Sequence, residues 1–153
     1  MFPVCTEGNN ATSEVSIEGF EAKLGYSLPM TYRNFLLNCN GGRPDRGIFP
    51  ILGMDKNPYG RVHFFYGVDA SSLNYDIEEI YKWFKGGLPE GVIAIGCTEG
   101  SDYICLDQRN GSDRVAYWDN RPFWGTGIWR EADLYQIADT FSEFLATLKA
   151  KLK

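Results

Sequence analysis

The sequence contains few side chains that could do chemistry, and their spacing does not assemble them into a known catalytic set. Its one histidine, His63, lies in an apolar run typical of a β-strand. A histidine and a cysteine can form a nucleophile–base pair, but no sequence signature supports such a pair here. The cysteines stand apart at Cys5, Cys39, Cys97 and Cys105, with neither a C-x-x-C pair nor the spacing of a zinc site. The sequence therefore predicts no metal site and four reduced thiols, with Cys97 and Cys105 in the core.

Two carboxylates and two glycine pairs complete the search for catalytic groups. Asp102 and Asp107 could form the acid pair of a glycoside hydrolase. Their odd separation places them on opposite faces of an alternating strand, which weighs against that role. Gly41-Gly42 and Gly86-Gly87 match neither glycine-rich phosphate-binding pattern and are interpreted as helix stops. The prediction is that this protein is not an enzyme and takes no cofactor.

An aromatic cluster in the last third of the chain is a candidate binding surface. Its members are Tyr117, Trp118, Phe123, Trp124 and Trp129. Tryptophan and tyrosine carry much of the binding energy at protein interfaces, and aromatic platforms also bind sugars. We expect Trp118 and Trp129 to fill the core or to cover a sheet edge. Trp124, between Phe123 and Gly125, is the predicted exposed anchor.

The net charge of −5 is concentrated in the middle of the chain. Residues 66–107 carry eight acidic and two basic side chains, which sum to −6, whereas the parts before and after sum to 0 and +1. Such a region repels nucleic acid and anionic membranes and attracts a basic protein. The first candidates for partner contact are Asp69, Asp76, Glu78 and Glu79. A well-solvated surface is the alternative, and Asp76 could simply cap the helix that follows it.

The sequence predicts helices near both ends and strands between them. Four helices are expected. The first begins at the cap Ser16 and ends at Gly25, and the second begins at Pro29 and ends at Asn40. The third runs over Asp76–Phe84, and the fourth begins at the capping box Thr140–Glu143 and has an apolar stripe that reaches Leu152. The expected strands are Gly47–Leu52, Val62–Tyr66, Val92–Cys97, Tyr103–Asp107 and Arg114–Trp118, with a turn at Asn57–Gly60 and a hairpin at Asn110-Gly111. The alternation in Tyr103–Asp107 is typical of a half-buried strand. This order predicts an α+β fold, a single domain with a central antiparallel sheet and helices packed at one face and at both chain ends.

Targeting signals are also missing from the sequence. No apolar run approaches the roughly 20 residues that cross a bilayer. The first ten residues lack the basic and apolar regions of a signal peptide. Together with the expected reduced thiols, this predicts a cytoplasmic protein without a membrane partner.

The order of several short motifs is characteristic. Ile17–Glu21 leads into Leu24-Gly25 and Leu28-Pro29, Tyr32–Leu36 follows, and Asn40-Gly41-Gly42 closes the second helix. Later come Gly100–Asp107, Val115–Asp119 and Ile137–Leu145, the last as a closing helix. Over roughly residues 16–148 these motifs resemble the SUKH superfamily, which includes a yeast cell-wall assembly regulator and many bacterial immunity proteins. The segment Phe123–Tyr135 does not map onto the family pattern and could be an insertion at the binding face.

The resemblance implies a single SUKH-like domain over residues 1–153 and a protein-binding role. In bacteria, the family's commonest inferred job is to neutralise a cognate toxin, often a nuclease or a deaminase. The leading prediction is therefore an immunity protein that binds a basic toxin domain. Two alternatives stay open: a regulatory or scaffold module that binds an endogenous protein, and a carbohydrate-binding domain that uses the tryptophans.

Overall fold

The computed structural model describes residues 2–6, 8–54 and 58–151. The helices are α1 (Glu14–Leu24), α2 (Met30–Asn38), α3 (Ile77–Phe84), α4 (Arg121–Thr126) and α5 (Phe141–Thr147). The strands are β1 (Cys5–Thr6), β2 (Arg43–Pro44), β3 (Ile48–Pro50), β4 (Tyr59–Phe65), β5 (Val92–Thr98), β6 (Tyr103–Asp107), β7 (Arg114–Trp118) and β8 (Leu134–Ala138). Asn57, in the expected turn, and Leu152, in the expected stripe, lie outside the described residues.

Strands β3 to β8 form a six-stranded antiparallel sheet in which each strand pairs with the next along the chain. The short strands β1 and β2 form a separate antiparallel pair. The predicted α+β class with a central antiparallel sheet is therefore confirmed. The predicted bounds of β6 and β7 are also confirmed, because these two strands carry the clearest apolar pattern.

The helix ends follow local capping chemistry, with two corrections to the sequence prediction. Ser13, not Ser16, caps α1, since its hydroxyl accepts the Ser16 N–H at 3.2 Å. Gly25 ends that helix at φ 86°, a left-handed conformation that glycine adopts without strain. Pro29 stands just before the first turn of α2 rather than inside it. The Thr140 cap of α5 is confirmed by its bond to the N–H of Glu143 at 3.1 Å.

Helices α2 and α5 cover one face of the sheet with a closely packed aromatic core. The ring of Phe35 in α2 lies 5.0 Å from that of Phe65 in β4 and 5.4 Å from that of Phe141 in α5. The ring of Phe144 lies 5.9 Å from that of Phe49 in β3. All five rings are at most 1% exposed. Burying a side chain of this size contributes roughly 1.5–3 kcal/mol to folding, which makes this face a major source of stability.

The opposite face of the sheet is covered only in part. The ring of Phe84, the last residue of α3, lies 5.0 Å from that of Tyr103 and 5.2 Å from that of Trp118. Trp118 also contacts Phe123 of α4 and Trp129, which confirms that Trp118 fills the core. Strand β6 is consequently buried on both faces instead of being half-buried as its alternation suggested.

Two elements lie in the segment that the sequence pattern left unassigned. Helix α4 begins at Arg121, and β8 begins at Leu134 and pairs with β7. Ile137 and Ala138 therefore belong to a strand and not to the closing helix, which begins only at Phe141. Pairing with β7 decides the conformation of β8, and that long-range contact leaves little trace in a short local pattern.

Cys5 and Cys39 form a disulfide, so the expectation of four reduced thiols is wrong for these two. Their Cα atoms lie 6.2 Å apart, inside the usual range for a disulfide. The pairing of β1 with β2 and a hydrogen bond from Asn9 Nδ2 to the Asn40 carbonyl at 2.8 Å bring the N-terminal segment to the end of α2. Cys105 is a buried free thiol, as predicted, whereas the free thiol of Cys97 is only half-buried.

Candidate functional site

In the part of the chain that the structure describes, the groups that could do chemistry do not form a catalytic arrangement. His63 and Cys97 line the same groove, but burial raises the pKa of the Cys97 thiol. A nucleophilic cysteine needs the reverse, a lowered pKa that supplies the thiolate. Within residues 2–6, 8–54 and 58–151, no cluster of three or more His, Cys, Asp or Glu side chains could hold a metal ion.

The carboxylate of Asp107 belongs to a structural ion-pair network. Its Oδ2 atom lies 2.9 Å from Arg109 Nη2 and 3.0 Å from Arg114 Nη2. Burial alone would raise the pKa of Asp107, but the two guanidinium groups outweigh it and the pKa is lowered. Asp107 is therefore held as an anion and is fully engaged with its neighbours.

Asp102, at the other end of β6, is buried among neutral donors. It accepts a hydrogen bond from the hydroxyl of Tyr117 and another from the backbone N–H of Asn120 at 3.2 Å. Its own backbone bonds to Thr98 close the turn into β6. Burial raises the pKa of Asp102, and the Tyr117 and Asn120 bonds oppose this. Asp102 and Asp107 thus have separate partners, and the structure does not join them as a hydrolase pair.

A groove of about 890 Å³ opens on the incompletely covered face of the sheet. Its floor includes the side chains of Phe64, Tyr66, Cys97 and Tyr103, and α3 forms one wall. The ring of Phe64 lies 5.5 Å from that of Tyr66, whereas the next residue along the strand, Phe65, packs into the aromatic core. The groove therefore lies on the side of β4 opposite to helices α2 and α5.

Two exposed tryptophans stand beside this groove. Trp83 of α3 is 61% exposed and Trp124 of α4 is 52% exposed. Their ring centroids lie 5.6 Å apart at an interplanar angle of 48°. Trp83 also lines the groove, together with the exposed Leu73. Exposed apolar side chains gathered in this way mark interaction sites more often than single exposed residues do. We call Trp83 and Trp124 the tryptophan pair.

The structure brings only one of the predicted acidic residues to this surface. Glu79 lines the groove and lies one helical turn before Trp83. Asp76 instead caps α3 by accepting the Glu78 N–H at 3.1 Å, so the structural role weighed for it is confirmed. Burial raises the pKa of Asp76. Asp69 lies in an exposed turn with φ 55° and does not line the groove.

Two of the acidic side chains also form ion pairs within the chain. Glu78 lies 2.6 Å from Lys23 Nζ, and Glu79 lies 2.6 Å from Lys82 Nζ. Pairing of this kind on a surface contributes little to stability because solvent screens it.

Sequence reasoning found Trp124 but missed Trp83 and the groove floor. The signal for Trp83 was present, because Ile77, Ile80 and Phe84 form the buried stripe of α3 and Trp83 stands off that stripe. A large apolar residue off the buried stripe of a helix is expected to be exposed. The sequence gives no comparable indication of the groove floor, because its side chains lie on strands whose apolar pattern is that of ordinary buried strands.

Comparison with known proteins identifies the family of this chain. The model of the SMI1 / KNR4 family (SUKH-1) matches residues 11–147, and this chain belongs to that family. The chain is also similar to the SPbeta prophage-derived uncharacterized protein YokK of Bacillus subtilis (strain 168). The two share 25% identity over 149 residues, which covers 86% of this chain and 72% of the relative. Among the described residues, no helix has the length and apolar character needed to cross a membrane.

Proposed function

We propose that this protein is an immunity-type binding protein that neutralises a cognate toxin domain by occupying it, without chemistry of its own. The observation that carries the proposal is the tryptophan pair beside an aromatic groove, on a chain of the SUKH-1 family. The same proposal places the protein in the cytoplasm as a single domain. Because disulfides are rare in that compartment, the state of Cys5 and Cys39 in cells is part of its test.

The surface chemistry favours binding a protein over turning over a substrate. Interface residues that contribute most to affinity are enriched in tryptophan, tyrosine and arginine and sit in pockets that exclude water. Trp83 and the floor residues Phe64 and Tyr103 offer aromatic area of that type. A partner loop that fills the groove would bury this area, and burial of apolar surface is the main favourable term in most protein association.

The charge of the chain favours a basic partner. Residues 66–107 hold the acidic excess, and they include α3 with Glu78 and Glu79. Complementary charge accelerates association and suppresses wrong partners more than it raises affinity. We therefore propose that the tryptophan pair supplies affinity, while Asp69, Asp76, Glu78 and Glu79 guide the approach of the toxin domain.

Surface-plasmon kinetics against the purified product of the adjacent gene tests this function. The Trp83→Ala/Trp124→Ala double variant should lose roughly 30-fold or more in affinity, mostly through faster dissociation. Met30→Ala is the matched control, because Met30 is an exposed apolar residue of α2 that lines no part of the groove. Unchanged affinity in the double variant, or no binding to the adjacent gene product, contradicts the proposal.

A second experiment separates binding from catalysis. Protection of cells against the toxin should survive Cys105→Ala, since that thiol is buried and its pKa is raised by burial. His63→Ala should change protection only as much as it changes affinity for the toxin. Loss of protection by a folded His63→Ala protein that still binds would indicate chemistry at that histidine.

A further inference from the structure

Trp124 stands on a helix that is too short to hold it by itself. Helix α4 has six residues, and Gly125 and Gly127 lie in and directly after it. Short helices are marginal in water without tertiary contacts. An exposed tryptophan on such a helix would be expected to sample several orientations, and each must be restricted when a partner binds.

Instead, the polar atom of the Trp124 ring is fixed by a buried asparagine. The Asn120 side-chain oxygen accepts the indole N–H of Trp124 at 2.6 Å, and its NH₂ group donates to Asp102 Oδ1 at 2.7 Å. The orientation of the amide follows from its neighbours, because an ionised carboxylate can only accept and an indole N–H can only donate. The backbone carbonyl of Asn120 also accepts a hydrogen bond from the backbone N–H of Trp124 at 3.1 Å. Asn120 therefore holds Trp124 by backbone and side chain together.

The asparagine is itself held in place by the interior of the protein. Asn120 is 4% exposed and Asp102 is 6% exposed. Asp102 accepts hydrogen bonds from the backbone N–H of Asn120 at 3.2 Å and from the hydroxyl of Tyr117, a residue of β7. Hydrogen bonds to a charged group are stronger than neutral ones, and low local polarity strengthens them further. A chain of bonds thus runs from Tyr117 through Asp102 and Asn120 to an exposed ring.

The exposed ring is also supported from its other side. Its centroid lies 5.6 Å from Trp83, 6.0 Å from Phe84 and 5.6 Å from Phe123. These contacts restrict where the ring sits, while the Asn120 bond restricts how it is rotated. Both are present before any partner arrives.

We propose that Asn120, oriented by Asp102, is a positioning residue that holds the Trp124 indole against Trp83 in its binding orientation. The effect of Asn120 on affinity for a partner rests on the proposed function, but its effect on the orientation of the Trp124 ring does not. Immobilising a flexible side chain on binding costs an amount that corresponds to about 2- to 12-fold in affinity. Loss of the Asn120 bond should therefore raise the dissociation rate by about that factor.

The first test needs no partner and follows indole N–H groups by ¹⁵N–¹H NMR. The four tryptophan signals are assigned with single Trp→Phe variants. Solvent exchange of the Trp124 indole proton should be markedly slower than that of Trp83, which is at least as exposed and whose indole N–H donates no hydrogen bond within residues 2–6, 8–54 and 58–151. Asn120→Ala should bring Trp124 to the Trp83 rate and leave Trp83 unchanged. Equal exchange rates in the wild-type protein overturn the proposal.

Two further variants separate positioning from folding. Asp102→Asn keeps an oxygen that can accept from Asn120, so slow exchange of Trp124 should persist, whereas Asp102→Ala should abolish it. Asn120→Ala should raise the dissociation rate about 2- to 12-fold in the wild-type background but not in Trp124→Phe, which has no indole N–H for Asn120 to accept. An equal effect of Asn120→Ala on dissociation in both backgrounds overturns the link to binding. If the adjacent gene product does not bind the wild-type protein, the proposed function fails, while the exchange experiment still decides the role of Asn120.

Discussion

The two faces of the central sheet are completed in different ways. On one face, Phe35, Phe141 and Phe144 from two helices meet Phe49 and Phe65 from the sheet, and all five rings are almost fully buried. On the other face, α3 and α4 cover Trp118 but leave a groove of about 890 Å³ beside them. The five rings of the first face are therefore out of reach of a partner, whereas Trp83 and Trp124 on the second face are exposed.

The difference separates folding from recognition in one small protein. A closed aromatic core supplies stability and can be reached only by unfolding. An open aromatic surface contributes less to folding but retains apolar area that association can bury. If this division holds, substitutions on the closed face should change the free energy of unfolding, and substitutions on the open face should change binding.

The largest expected effect is on stability and comes from the closed face, the face of the sheet covered by α2 and α5. Phe35→Ala should lower the free energy of unfolding by about 3–5 kcal/mol, because it leaves a cavity among the rings of Phe65 and Phe141. Chemical denaturation of the purified variant measures this. Met30→Ala on the same helix, at a position that is 68% exposed, should stay within about 0.5 kcal/mol. Similar stabilities for the two variants would mean that α2 does not carry the core.

The next effect concerns the disulfide that ties the N-terminal segment to the end of α2. Cys5 and Cys39 are separated by 34 positions in the chain. Closing a loop of that size restricts the unfolded chain, so reduction should lower the free energy of unfolding by about 2–4 kcal/mol. Alkylation of the denatured, unreduced protein should label two cysteines, Cys97 and Cys105. Labelling of all four would show that the pair is reduced in that preparation.

Much of the closed face could be predicted from the sequence because its signals are local. The cap at Thr140, the stop at Gly25 and the apolar pattern that bounds β6 at Tyr103 and Asp107 each depend on residues only a few positions away. Phe35 and Phe144 could be assigned to the core because they lie on apolar stripes of helices.

The features that escaped prediction depend on contacts between distant parts of the chain. Strand β8 pairs with β7, and the pairing of β1 with β2 brings Cys5 close to Cys39. The tryptophan pair joins residues 41 positions apart, since Trp83 comes from α3 and Trp124 from α4. Trp124 could be proposed from residue type and Trp83 from its place off the buried stripe of α3, but the contact between them could not.

The two carboxylates at the ends of β6, Asp107 and Asp102, differ in the direction of their pKa shifts. The pKa of Asp107 is lowered by Arg109 and Arg114 despite burial, so its contribution to stability is present above the unfolded pKa of about 3.9 and is lost as the pH falls through its folded pKa. Burial raises the pKa of Asp102, so the folded state binds more protons there and gains stability as the pH falls through that raised value.

Asp107→Asn should therefore lower the free energy of unfolding by about 1–3 kcal/mol at neutral pH, and the difference from wild type should shrink as the pH falls through the lowered pKa of Asp107. Asp102→Asn should show the opposite trend, because it removes a carboxylate that the folded state disfavours. Denaturation curves at neutral and acidic pH measure both. Parallel pH profiles for the two variants would contradict the distinction.

The smallest expected effect lies on the open face and concerns rates rather than stability. Glu78→Lys/Glu79→Lys changes the charge of α3 by +4 and breaks the pairs with Lys23 and Lys82. Charges at the rim of an interface act mainly on association, so the double variant should bind the basic toxin domain roughly 2- to 10-fold more slowly, with a weaker dependence on salt and little change in dissociation. The control is Glu18→Lys/Glu143→Lys, which makes the same change in net charge at exposed positions outside residues 66–107. Surface-plasmon kinetics at two salt concentrations compares the variants. An equal loss of association rate in both variants would assign the effect to net charge alone. If association of the wild-type protein does not depend on salt, the acidic segment is not part of the interface. The tryptophan pair would then be the part of this face that recognises the partner.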